Sequence, residues 1–289
     1  MAVAYATSTL DVSLNSVGVT NMTLPSGSAV GDIVFVFSSF YGNSSEEYDF
    51  TGLTMMDVKV SFDSGSNRFA YSGYKVLDST DISNGYLVAS SSDGFSSVGR
   101  AHLIRVTGGS TVGLVHDDSV DTDSDTSKVF GNTVTPAGAD SLILFYVAAG
   151  MNGSISAQAI TTDNPSWTEL SDSAFNSGAN YVTHAIAYAS RTAVTATGDS
   201  SCTLSTNSRA FGVIVAIQPQ LDVTVTGSTG SAVLNGNSGT VTGSANVTGS
   251  TGSIVLNGNT GTLNTPDPDW FNDDKSAPTP SEFANTPKS

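Results

Sequence analysis

The sequence predicts an all-β protein: an antiparallel β-sandwich, jelly-roll-like and internally duplicated, followed by short Gly/Thr/Val β-repeats and an extended tail. Three observations predict it. Apolar residues come in short runs or in alternation, and no long segment keeps a 3.6-residue period. The runs are rich in Val, Ile, Phe, Tyr and Thr, which suit a pleated, half-buried surface. Turn clusters of Gly, Ser, Asn and Pro separate them roughly every 8–12 residues.

The composition excludes other classes. Charged residues make up 12% of the 289, and 10 basic against 26 acidic residues leave a net charge of −16. Long-helix proteins need more Glu and Lys than this. A surface this acidic repels phosphate, so nucleic acid is not an expected partner. No apolar run approaches the roughly 18 residues of a membrane helix, so no membrane insertion is expected. The opening stretch has neither a basic region nor a long apolar one, so no signal peptide is expected. The single cysteine, Cys202, cannot form an intrachain disulfide. An extracellular-style surface without signal or disulfides fits a protein made in the cytoplasm and released on a particle by lysis.

Residues 1–219 form the first expected domain and hold an internal duplication. Leu24-Pro25-Ser26-Gly27 leads through Asp32 into Ile33-Val34-Phe35-Val36-Phe37. Thr135-Pro136-Ala137-Gly138 leads through Asp140 into Leu142-Ile143-Leu144-Phe145-Tyr146-Val147. Each half then carries a Gly-x-Asn turn (Gly65-Ser66-Asn67, Gly178-Ala179-Asn180). Each ends on an Arg before an apolar strand, Arg100 and Arg209, at an offset of about 110 residues. The continuous runs are too short for helices and read as central strands with little solvent on either face. Each half shows about four strong strands, too few to close a core. One shared sandwich of about 200 residues is therefore expected, with two small sandwiches in tandem as the alternative.

Residues 220–264 hold two repeats with a period of 22 residues. Val225 through Val241 matches Val247 through Leu263 at fourteen of seventeen positions. The expected structure is short strands between Asn-Gly and Thr-Gly turns. The assembly residues are Val225, Val233, Leu234, Val247, Val255 and Leu256. Each unit is too small to bury its apolar face alone, so it needs neighbours, and other chains are expected to supply them. The competing reading is a flexible linker, which has no reason to keep Val and Leu in register.

Residues 265–289 form a Pro/Asp-rich tail that cannot build a core. It nevertheless carries Trp270, Phe271 and Phe283, expected to anchor on a partner groove.

These features together resemble a structural protein of a tailed bacteriophage, of the marine podovirus-like kind. The residues that carry the resemblance are Gly31-Asp32-Ile33-Val34-Phe35-Val36-Phe37, Ala139-Asp140-Ser141-Leu142-Ile143-Leu144-Phe145 and Pro165-Ser166-Trp167-Thr168. The Val-Thr-Gly-Ser-Thr-Gly repeats ahead of a Trp-containing tail complete the set. The resemblance implies a non-enzymatic role on the virion surface, most simply capsid decoration. The repeats and tail would then attach the protein to the major capsid protein or another virion protein. The alternative is a tail-fibre or lectin-like adhesin that binds a host-surface glycan. A homo-oligomer is expected in either case, a trimer if the protein is a fibre.

Few residues suggest chemistry. Asp121, Asp123 and Asp125 alternate like the start of a calcium loop, but Thr126 and Asn132 stand where such a loop needs Gly and Glu. Weak Ca²⁺ binding competes there with a plain acidic loop, and no other cofactor is expected. His102, His116 and His184 lack the close spacing of a zinc site, and His102 reads as a strand residue filling space. Glu46, Glu47 and Asp49 supply loop carboxylates without a partner at a set separation. No Gly-x-Ser-x-Gly elbow occurs. Tyr41, Tyr48 and Phe50 could stack on a sugar or simply close the sandwich end. Arg100 and Arg209 are expected to pair with strand-edge aspartates such as Asp32 or Asp140.

Overall fold

A computed structural model describes residues 3–14, 18–42, 47–63, 65, 67–91, 98–177 and 180–220. Beyond these it describes the backbone strands 223–226, 229–235, 245–248 and 251–257. Nearly all described residues of the body lie in strands or their turns.

The first half contains β1 (Ala4–Leu14), β2 (Gly18–Thr23), β3 (Ile33–Tyr41), β4 (Tyr48–Phe50), β5 (Thr54–Ser61), β6 (Arg68–Val76), α1 (Ser79–Asn84), β7 (Tyr86–Ser91) and β8 (Val98–Thr107). One sheet runs β1-β8-β3-β6-β5 and the other β2-β7-β4, each antiparallel to its neighbours. With 1-8-3-6 on one side and 2-7-4 on the other, this is a jelly roll whose fifth strand has joined the larger sheet.

The second half contains β9 (Gly109–Phe130), β10 (Ser141–Ala149), β11 (Ile155–Ile160), β12 (Thr168–Ser177), β13 (Asn180–Arg191) and β14 (Ser200–Pro219). Its order is β11-β14-β10-β13-β12, with β9 also on β14. The long strands each serve two layers. The end of β9, Ser127–Phe130, and β11 flank Ser200–Leu204 of β14, while Ala210–Ile217 of β14 pairs with β10. A register irregularity between Thr203 and Ala210 separates the two parts. Six long strands thus repeat the eight-strand plan of the first half.

Each half has its own core. Met22, Leu24, Val34, Val36, Phe40, Phe50, Tyr71, Leu87 and Leu103 fill the first. Phe130, Phe145, Val147, Ile155, Cys202 and Leu204 fill the second, continued by Val134, Ile143, Ile160 and Ile214. A third and larger core lies between the two big sheets: Ile33, Phe35, Phe37, Ile104 and Val106 against Leu142, Leu144, Tyr146, Val213, Val215 and Ile217. The expectation of one shared sandwich is corrected: two sandwiches stand in tandem, fused through a common core. The remaining strands are not legible in sequence because β2, β4, β7 and β12 bury one face only and are short or polar. The expectation for β3 and β10 holds, since alternate residues of each enter two different cores, which accounts for their unbroken apolar sequence.

The halves present the same face to each other. With Ile33 set against Leu142, the first residue of each strand to enter the shared core, the registers match Phe35 with Leu144, Phe37 with Tyr146, Ile104 with Val215 and Val106 with Ile217. All ten belong to the shared core. The same registers make Arg100 equivalent to Phe211, so the sequence match of Arg100 with Arg209 is two residues out of step.

The four repeat strands belong to a separate unit. They are β15 (Val223–Thr226), β16 (Thr229–Asn235), β17 (Ala245–Thr248) and β18 (Thr251–Asn257). β15 pairs with β17, and β16 pairs with β18. The second pairing is parallel, from Thr229 on Thr251 to Asn235 on Asn257, so equivalent repeat positions lie side by side.

Candidate functional site

The polar group that stands out lies where the two sandwiches meet. β8 contributes His102, β13 contributes His184, and both are fully buried. Asp11 reaches them from β1, where a register irregularity between Thr9 and Val12 and a positive φ of 55° turn its side chain inward. His184 Nε2 lies 2.9 Å from Asp11 Oδ1 and 2.8 Å from Ser173 Oγ. The Ser173 hydroxyl donates to the same carboxylate oxygen at 2.5 Å. On the other side of the ring, Ser39 Oγ is 3.3 Å from His184 Nδ1. The His102 and His184 rings meet edge-on, 4.1 Å between centroids. The Asp11 amide points at His102 Nδ1 over 3.4 Å, and His102 Nε2 has no partner among the described residues.

Burial pushes both imidazoles below their ordinary range, and each is opposed by the Asp11 charge. The hydrogen bond from His184 holds the Asp11 carboxyl well below the usual range, against its partial burial. Ser39, His184 and Asp11 follow a hydroxyl–imidazole–carboxylate order. Ser39, however, has no exposed surface for a substrate to reach, and a nucleophile needs that access.

The acidic run is not a loop. It is the middle of β9, paired to β14. Its carboxylates surround the fully buried ammonium of Lys128, at 2.8 Å from Asp125 and 3.3 Å from Asp121. The Asp123 carbonyl accepts from the same ammonium at 2.5 Å. Asp121 also accepts from the Val129 and Asp123 amides. The residues expected to attract Ca²⁺ thus hold a cation supplied by the chain itself. Lys128 is not legible in the sequence, because its partners lie within a run that reads as solvated.

A second carboxylate contact joins the halves. Asp57 on β5 is buried and accepts from the Ser72 hydroxyl. Burial, together with the nearby Asp118 and Asp117, pushes its carboxyl up to about 7.

The other expected residues fall as follows. Tyr48 and Phe50 are buried in the first core rather than displayed for a sugar, because β4 pairs with β7 and faces inward. Tyr41 is partly buried under the Arg68 guanidinium. Asp32 pairs with Arg105 at 2.7 Å, not with Arg100, since Arg105 shares its register neighbourhood on β8. Arg100 instead lies over the Phe175 ring. His116 is exposed on β9. Glu47 makes an exposed ion pair with Lys59, and Asp49 is exposed. Val225 lies on β15 and Val247 on β17, while Val233 is in backbone register with Val255 and Leu234 with Leu256 in the parallel pair. Trp270, Phe271 and Phe283, like Glu46, lie outside the described residues.

No family model and no curated protein matches the chain. A solved structure titled Red Clover Necrotic Mosaic Virus aligns over 69% of this chain and 75% of that one, at 13% identity and a TM-score of 0.18. A superposition that loose carries no argument.

Proposed function

We propose that the protein is a non-enzymatic structural component of a virus particle, a decoration protein on a tailed-phage head. The observation that carries this reading is the parallel, in-register pairing of the two repeats. Among the described residues no further strand pairs with either outer edge of this sheet, and such edges recruit further strands. The sequence of each repeat is already adapted to pairing with a copy of itself. The repeats therefore serve as an assembly element, and the acidic tail beyond them supplies the aromatic anchor for the capsid lattice.

The body supports the same reading. Its buried polar cluster offers no substrate access at Ser39, and its aromatic loop residues are spent on the core. What it displays is an acidic β scaffold of the jelly-roll type, an architecture found in capsid and lectin domains.

The test is the number of copies on purified virions, by quantitative mass spectrometry. Hundreds of copies support decoration. A small multiple of three or six would move the protein to a fibre, and absence from the particle would end the virion reading altogether.

A further inference from the structure

We propose that Asp11, His102 and His184 bind a divalent transition-metal ion, Zn²⁺ above others, that fastens one sandwich to the other. One ligand atom from each residue lies within 4.8 Å of the other two. Two imidazoles and one carboxylate are a donor set suited to Zn²⁺, while Ca²⁺ and Mg²⁺ prefer oxygen alone. Around a tetrahedral Zn²⁺ the donors would sit about 3.3 Å apart, so closure requires only modest side-chain movement. Asp11 is the most exposed member and gives the ion a way in.

The surrounding contacts suit the role. With His184 Nε2 on the metal, its Nδ1–H can donate to Ser39 Oγ, now 3.3 Å away. This is the outer-shell bond that fixes a ligating imidazole. Ser173 Oγ, beside both His184 and Asp11, can fill the fourth position or hold a water there. His102 is held only by the long contact from the Asp11 amide, and its other nitrogen has no partner among the described residues. A buried imidazole so poorly satisfied costs stability unless something else uses it.

The duplication supplies an independent reason. His102 pairs with Phe37, and Val213 pairs with Tyr146, so Val213 is the second-half equivalent of His102. His184 pairs with Ala148, and Ala70 pairs with Ser39, so Ala70 is the first-half equivalent of His184. The same interface is closed elsewhere by Val and Ala. Packing therefore does not require either imidazole.

The experiment uses the full chain, stripped with a chelator and desalted. Adding Zn²⁺ at a hundredfold excess over its Kd should raise Tm by roughly 5–10 °C. One equivalent of Co²⁺ should give the visible absorption of a four-coordinate N/O site. Asp11→Asn and His102→Gln should each abolish both signals while keeping the β-type circular dichroism. Asp121→Asn should keep both, separating this site from the acidic strand. No Zn²⁺ shift and no Co²⁺ spectrum in the parent chain would overturn the proposal. So would unchanged signals in folded Asp11→Asn and His102→Gln.

Discussion

At the scale of single residues, buried charge decides what can be changed. Lys128 is fully buried among Asp121, Asp125 and the Asp123 carbonyl. Removing Asp121 takes charge compensation from a fully buried ammonium, whereas without the ammonium Asp121 keeps the Asp123 and Val129 amides and Asp125 stays half exposed to water. Asp121→Ala should therefore cost about 3 kcal/mol, and Lys128→Met distinctly less, as measured by urea denaturation. Equal losses would show that the ammonium is solvated. Asp57 sets a pH dependence. Its carboxyl is raised from 3.8 to about 7 in the fold, so the native state holds a proton that the unfolded chain has released. Its stabilising share is complete below about pH 4 and is lost as pH rises through 7. Asp57→Asn should melt like the parent near pH 4 and be more stable by about 2 kcal/mol at pH 8, after allowance for partial solvation. Parallel melting curves across that range would rule this out. None of the buried cluster was legible in the sequence. Asp11 lies 91 residues from His102 and 173 from His184, and only the fusion of two sandwiches brings them together.

At the scale of elements, legibility followed burial. β3 and β10 announced themselves because both faces are buried. β2, β4 and β7 did not, because a short strand with one wet face looks like loop sequence. α1 escaped as well, though its start carries a local signal: the Asp78 side chain accepts from the Thr80 and Asp81 amides, and Asp81 accepts from the Asp78 amide. Close packing limits β14. A Cβ on Gly212 would fall 2.7 Å from the buried Phe130 ring. Gly212→Ala should cost about 1–3 kcal/mol, and Phe130→Leu in the same chain should return part of it. If Gly212→Ala melts like the parent, the ring is not pressed on that strand. For the repeats, a chain ending at Pro219 should keep its fold and its melting temperature but lose assembly in light scattering. If it assembles as before, the repeats are spacers.

At the scale of the whole molecule, the shared core couples the halves. Phe35, Phe37, Leu144 and Tyr146 are buried only while both sandwiches are folded against each other, and each such side chain contributes about 1.5–3 kcal/mol. Residues 1–219 should therefore unfold in one calorimetric transition, with matching van't Hoff and calorimetric enthalpies. Two resolved transitions would show that the interface is weak. Circular dichroism should be β-dominated. The duplication and the all-β class were visible in sequence as local patterns. The count of sandwiches was not, because it depends on how polar strands pair over long distances.

The two sandwiches meet through equivalent faces, and one residue, Gly108, separates β8 from β9. A face that packs against its own equivalent is how a symmetric homodimer associates. The chain is, in effect, such a dimer written twice and joined. Its association no longer depends on protein concentration, since so short a tether keeps the partner at a very high effective molarity. The pairing survives any dilution. The two copies are also free to diverge, each carrying a histidine where the other keeps valine or alanine, which no true homodimer can do.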